Sequence, residues 1–220
     1  MIMLRLIPIL LLLLSPSGLA QPNSQKGPTV RLLAERVPPE LGQVFLKTEM
    51  AASDAFDLPV NNLSNPISAP GRAFTVDSES KGVSLAKVIL PDAGKAFIVL
   101  LVPDLKSGYK SVVVPANDRS FKPGDVYFYN HCNRTILGYV GTAKFILAPG
   151  KGESLRPKGA KPEGYYDVGF GVREKEGDRA LSQTRWPVDE RSRSYVFFFV
   201  DPKTKRLNFR AVDEFVPPGD

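Results

Sequence analysis

A chain of 220 residues, 43% of them hydrophobic, is long enough to bury most of its unfolded surface without covalent help, and its single cysteine excludes an internal disulfide. One histidine beside that cysteine leaves little of the supply on which zinc sites and nucleophilic centres usually draw. Of the formal charge of +6, Arg5 supplies one and the second half five, where residues 101–220 carry twenty Lys and Arg against fifteen Asp and Glu, a balance that suits contact with anionic polymers.

In chain order, residues 1–20 read as a secretory signal. Met1 and Arg5 supply a positive start, residues 6–14 are apolar apart from Pro8, and Ser17, Gly18 and Ala20 are small residues where a signal peptidase needs them. The apolar run is about half the ~20 residues a spanning helix requires. The sequence therefore predicts export to the periplasm or exterior, a mature chain starting near Gln21, and no transmembrane segment thereafter. Residues 21–28 read as a flexible leader and residues 29–220 as one β-sandwich domain, with possible halves at 29–115 and 116–220.

Twenty prolines and eighteen glycines interrupt every helical pattern, leaving short β-branched and aromatic runs. Strands are predicted over 29–35, 43–47, 73–76, 86–90, 96–102, 111–114, 126–130, 136–140, 144–147, 166–172, 195–200 and 207–212, with 54–70 a long loop. This is the grammar of an all-β, antiparallel sandwich. The plan of residues 97–114, an apolar strand, a charged turn and a second strand, recurs at 195–212, which suggests two similar β units packed together. Residues 97–102 and 195–200 are apolar at every position, so both faces must be covered, by sheets and loops of this chain or by a second subunit.

The middle of the chain carries Pro123-Gly124-Asp125 before the strand 126–130, a short strand ending at Pro149-Gly150, and Arg193 before the aromatic strand 195–200. Over about residues 85–215 this order resembles a family of uncharacterised secreted bacterial proteins known from predicted genes in Verrucomicrobia-like organisms. The resemblance implies an exported β-sandwich and assigns no activity. His131-Cys132 departs from the polar turn of many relatives.

The chemistry-bearing residues are few. Adjacent residues of a strand face opposite ways, so His131 and Cys132 are badly placed to pair, and nothing nearby supplies a group to orient the imidazole. The motifs of serine hydrolases, phosphate loops and calcium loops are missing from the sequence, and Glu174–Asp178 reads as a solvated hairpin tip. The sequence predicts a non-enzymatic binding or scaffolding protein without cofactor or metal, with no nucleic-acid module. Tyr127, Tyr129, Tyr165 and Trp186 are candidate platforms for a sugar. Lys158, Lys161, Lys203 and Lys205, in two turn-rich loops, are candidate contacts to anionic polysaccharide. The alternatives are an envelope assembly protein docking through a sheet edge, and a hydrolase with carboxylates brought together only by the fold.

Overall fold

The computed structural model describes residues 27–104, 108–116, 121–201 and 203–217. The segment read from the sequence as a signal, and most of that read as a leader, lie outside the described residues. Everything regular in them is strand, in four sheets. The first sheet has the order β3 (Ile67–Ser68), β1 (Thr29–Ala34), β6 (Ala96–Asp104), β7 (Gly108–Pro115), and the second β2 (Val44–Lys47), β4 (Ala73–Ser78), β5 (Ser84–Ile89). The third has the order β11 (Gly152–Leu155), β8 (Val126–Asn130), β14 (Ser192–Val200), β15 (Leu207–Phe215). The fourth is β10 (Ala143–Leu147), β9 (Ile136–Val140), β12 (Tyr165–Glu174), β13 (Gly177–Pro187). No helix of these residues is long and apolar enough to cross a membrane.

The two halves share one topology. β1 pairs antiparallel with β3 and parallel with β6, which pairs antiparallel with β7; β8 does the same with β11, β14 and β15. The outer sheets match as well, β2-β4-β5 against β9-β12-β13, with β10 an addition to the second unit. The sandwich is thus antiparallel except for the two parallel pairs β1–β6 and β8–β14.

Side-chain alternation turns these sheets into four layers. Val30, Leu32, Phe97, Val99 and Leu101 point to the second sheet and fill the core of the first unit. Val126, Phe128, Val196 and Phe198 point to the fourth sheet, where Phe145 and Phe170 close on them. The opposite faces meet each other: Leu33, Ile98, Leu100 and Val102 pack against Tyr129, Tyr195, Phe197 and Val212. This explains why β6 and β14 are apolar throughout. Both of their faces are covered within the chain, each fully buried side chain of this size contributing roughly 1.5–3 kcal/mol. The facing also places Phe97 opposite in sense to Tyr195, so those two residues are not structural equivalents.

Twelve strands fall where the apolar runs predict them, and three do not. β3 is two residues long and sits inside the predicted 54–70 loop, while β11 and β13 are polar edge strands whose exposed residues carry no apolar alternation.

Candidate functional site

The second unit opens at both ends, and the two openings differ in chemistry. At the end where β8 and β14 begin, Pro123 and Gly124 form a turn in which the Asp125 amide donates to Lys122 O (2.9 Å) and its carboxylate accepts from the Lys122 amide (2.7 Å). Gly124 has φ 87°, and a Cβ there would lie 2.8 Å from Nη1 of Arg156. Only glycine lets that guanidinium lie across the turn to reach Asp125 at 2.9 Å. Gly141 plays a similar part: a Cβ would sit 1.8 Å from the Lys158 carbonyl, so the 156–159 segment can close against β9 only because the side chain is missing.

These turns wall a cleft of about 190 Å³. Tyr166 and Trp186 are cross-strand partners in β12 and β13 and line it on the same side, with Pro157 and Pro187 beside them. Asp125, Asp189, Asp213, Ser192 and Ser194 line the rest. Trp186 is half-buried, its ring packed edge-on to Phe170 at 5.6 Å. Ser194 donates to Asp213 (2.6 Å), and the Arg191 amide, first among several donors, holds the Asp189 carboxyl below the usual carboxylate range.

At the opposite end, where β14 turns into β15, Arg134, Arg179, Lys205 and Arg206 surround a cleft of about 470 Å³ floored by Leu181, Val200 and Leu207. Glu174 accepts from Arg134 (3.0 Å) and Arg179 (3.1 Å), which fixes both guanidinium groups at the rim. Among the described residues Lys205 and Arg206 have no ion-pair partner. Lys205 holds a left-handed φ of 57° in the tight turn that Asp201 organises by accepting from the Lys203 and Thr204 amides.

The seam between the units carries a polar knot at each rim. Glu214 accepts from Arg193 (Nε 3.0 Å, Nη2 3.0 Å), Tyr195 (2.7 Å) and Arg31 (2.5 Å). Burial, and then the adjacent Glu214 carboxylate, push the Tyr195 phenol well up. At the other rim His131 Nδ1 lies 2.6 Å from Glu35 Oε2, and Arg210 donates to the Ala34 carbonyl. Oε1 of Glu35 and Nε of Arg210 are buried there with no hydrogen-bond partner. The imidazole thus does have an orienting carboxylate, 96 residues away in sequence and invisible to any local spacing. Cys132 does not join it. Its thiol bonds Asn130 Oδ1 at 2.7 Å and packs into the core of the second unit, where burial raises its pKa.

The candidate residues are dispersed. Tyr127 and Tyr129 do share one face, but it is the seam and not the exterior, because β8 is covered on that side by the first unit; Tyr129 is only 3% exposed and unavailable to a ligand. Tyr127 is half-buried against Phe121, and burial pushes its pKa up to about 12. Tyr165 is half-buried under the Arg185 guanidinium, 4.7 Å from its ring centre. Trp186 alone of the four reaches a cleft, and its partner there is Tyr166. Lys158 and Lys161 are exposed near the Trp186 end, with Lys161 3.4 Å from Asp167. Lys203 and Lys205 are exposed at the opposite end, so the two basic loops do not form one patch. Compared with known proteins, the chain matches no family model and no curated sequence.

Proposed function

We propose that the protein is an exported, non-enzymatic binding protein of the bacterial envelope or exterior, akin to the secreted family it resembles, and that it holds an anionic polysaccharide. The observation that carries this reading is the cleft between Arg134, Arg179, Lys205 and Arg206, where four cations face one carboxylate. Arginines fixed by Glu174 present their remaining N–H groups without further loss of side-chain freedom, and the apolar floor lowers the local dielectric, so a carboxylate, sulfate or phosphate entering there is attracted before any specific fit.

Retention on a heparin or polyuronate column tests it. The folded protein is expected to bind at low salt and elute as the screening length shrinks to roughly 10 Å near 0.1 M. Lys205→Glu with Arg206→Glu is expected to abolish retention, whereas Lys158→Glu with Lys161→Glu leaves it largely intact. Flow-through of the wild type at low salt refutes the reading.

A further inference from the structure

We infer that the cleft at the Trp186 end is a second binding site, one that takes an uncharged sugar ring. It lies at the far end of the second unit from the basic cleft and does not depend on the anionic-polymer reading. Its volume of about 190 Å³ is below the ~300 Å³ at which pockets for larger ligands begin, and suits a single small ring. The wall is chemically divided. Trp186, Tyr166, Pro157 and Pro187 offer apolar surface, and Asp189, Asp213, Ser192 and Ser194 offer hydrogen-bonding groups. A sugar ring has the matching division, C–H groups on its face and hydroxyls on its edge.

The polar groups are already positioned. Asp189 is held by the Arg191 amide, by Ser192 and, at 3.9 Å, by the Arg191 guanidinium; Asp213 accepts from Ser194, and because a carboxylate has about four acceptor sites it keeps capacity for sugar hydroxyls. Asp125 differs, since Arg156 and the Lys122 amide occupy it and it serves as wall. Asp189 has the Arg191 guanidinium at 3.9 Å, whereas Asp213 has no ion-pair partner among the described residues, so it is the Asp213 carboxylate that repels uronates and sulfated sugars and turns the site against the very ligands the basic cleft attracts. A metal ion is a poorer match, because the described residues contain no group of three or more metal-binding side chains.

Trp186 is the only tryptophan, so its fluorescence reports this cleft and nothing else. Neutral trisaccharides of glucose, mannose and N-acetylglucosamine are titrated into the whole protein, with a glucuronate trimer as the charged comparison. At least one neutral sugar is expected to give a saturable change in Trp186 emission, and the glucuronate trimer to bind at least tenfold more weakly. By calorimetry, Asp213→Asn, at an exposed position that leaves packing alone, is expected to weaken that sugar about tenfold. Trp186→Ala is expected to abolish binding, and Trp186→Phe, which keeps a ring against Phe170, to retain part of it. No emission change with any neutral trisaccharide at millimolar concentration, or a preference for glucuronate, overturns the inference. Column retention through Lys205 and Arg206 is measured separately, so either reading can fail while the other stands.

Discussion

Replacing Glu214 by alanine removes the acceptor on which the seam's polar knot converges. Its side chain is 5% exposed and holds Arg193, 7% exposed, together with Tyr195 and Arg31. Without it the Arg193 charge stays buried, left with the Ala116 carbonyl and the face of Phe121 at 5.2 Å. An uncompensated buried charge of this kind costs about 3–5 kcal/mol, a large fraction of the ~5–15 kcal/mol that holds a domain together. For a protein of this size each kcal/mol moves the melting temperature by about 2–4 °C, so Glu214→Ala is expected to melt about 6–20 °C lower. Circular dichroism melts and urea titrations read this directly. The half-exposed pair Arg173–Asp178 is the control, and Asp178→Asn is expected to cost at most about 1 kcal/mol. Because desolvation offsets much of the attraction within a buried network, replacing Arg31, Arg193 and Glu214 together by well-packed apolar residues is expected to cost less than Glu214→Ala alone. A Glu214→Ala melt that overlays the wild type refutes the reasoning, since it would mean that Arg193 reaches water when its partner is gone.

N-terminal sequencing of the exported protein is expected to start at or near Gln21, and a retained Met1 in a membrane fraction would defeat the signal assignment. Cys132 is expected to resist alkylation in the native state and to react on unfolding, because burial both hides the thiol and raises its pKa; fast native labelling would contradict that. Burial also pushes the phenols of Tyr109 and Tyr127 up to about 12 from an ordinary 10.0. Between those values the unfolded chain has lost protons that the folded one keeps, so stability falls as pH rises from about 10 towards 12. Phenolate absorbance followed against pH checks this, and ionisation of every tyrosine near pH 10 in the folded protein would refute it.

The parts of the fold written locally were legible. β6 and β14 announce themselves by unbroken apolar runs, and the need to cover both faces already contained the layered arrangement, though not which surface would do the covering. β13 was illegible for a specific reason. A bulge opposite Phe170 and Gly171 shifts the register, so Leu181 and Trp186 both turn inward although their spacing is odd, and the period of two breaks in a strand that lines a cleft. The candidate site residues fared according to range. Trp186 beside Pro187 read as a strand end, which it is, but Tyr127 and Tyr129 could be assigned a common face without knowing which neighbour that face meets. Glu35 was out of reach altogether, because its meeting with His131 depends on how two units dock, and no local pattern encodes that docking.

That docking also bears on where the Trp186 cleft and the basic cleft lie. The broad inner faces of the first and third sheets are spent on each other, so what remains open in the second unit is the ends of its own sandwich, where strands give way to turns and backbone groups need side-chain partners. Lys205 and Arg206 of the basic cleft sit in such a turn, while Arg179 reaches it from β13. Apolar contact across the seam would by itself tolerate sliding of one sheet over the other. The two polar knots do not, because Glu214 must meet Arg31 while Glu35 meets His131, and a shift that satisfied one rim would strand buried polar groups at the other. The buried polar groups thus contribute orientation as well as stability.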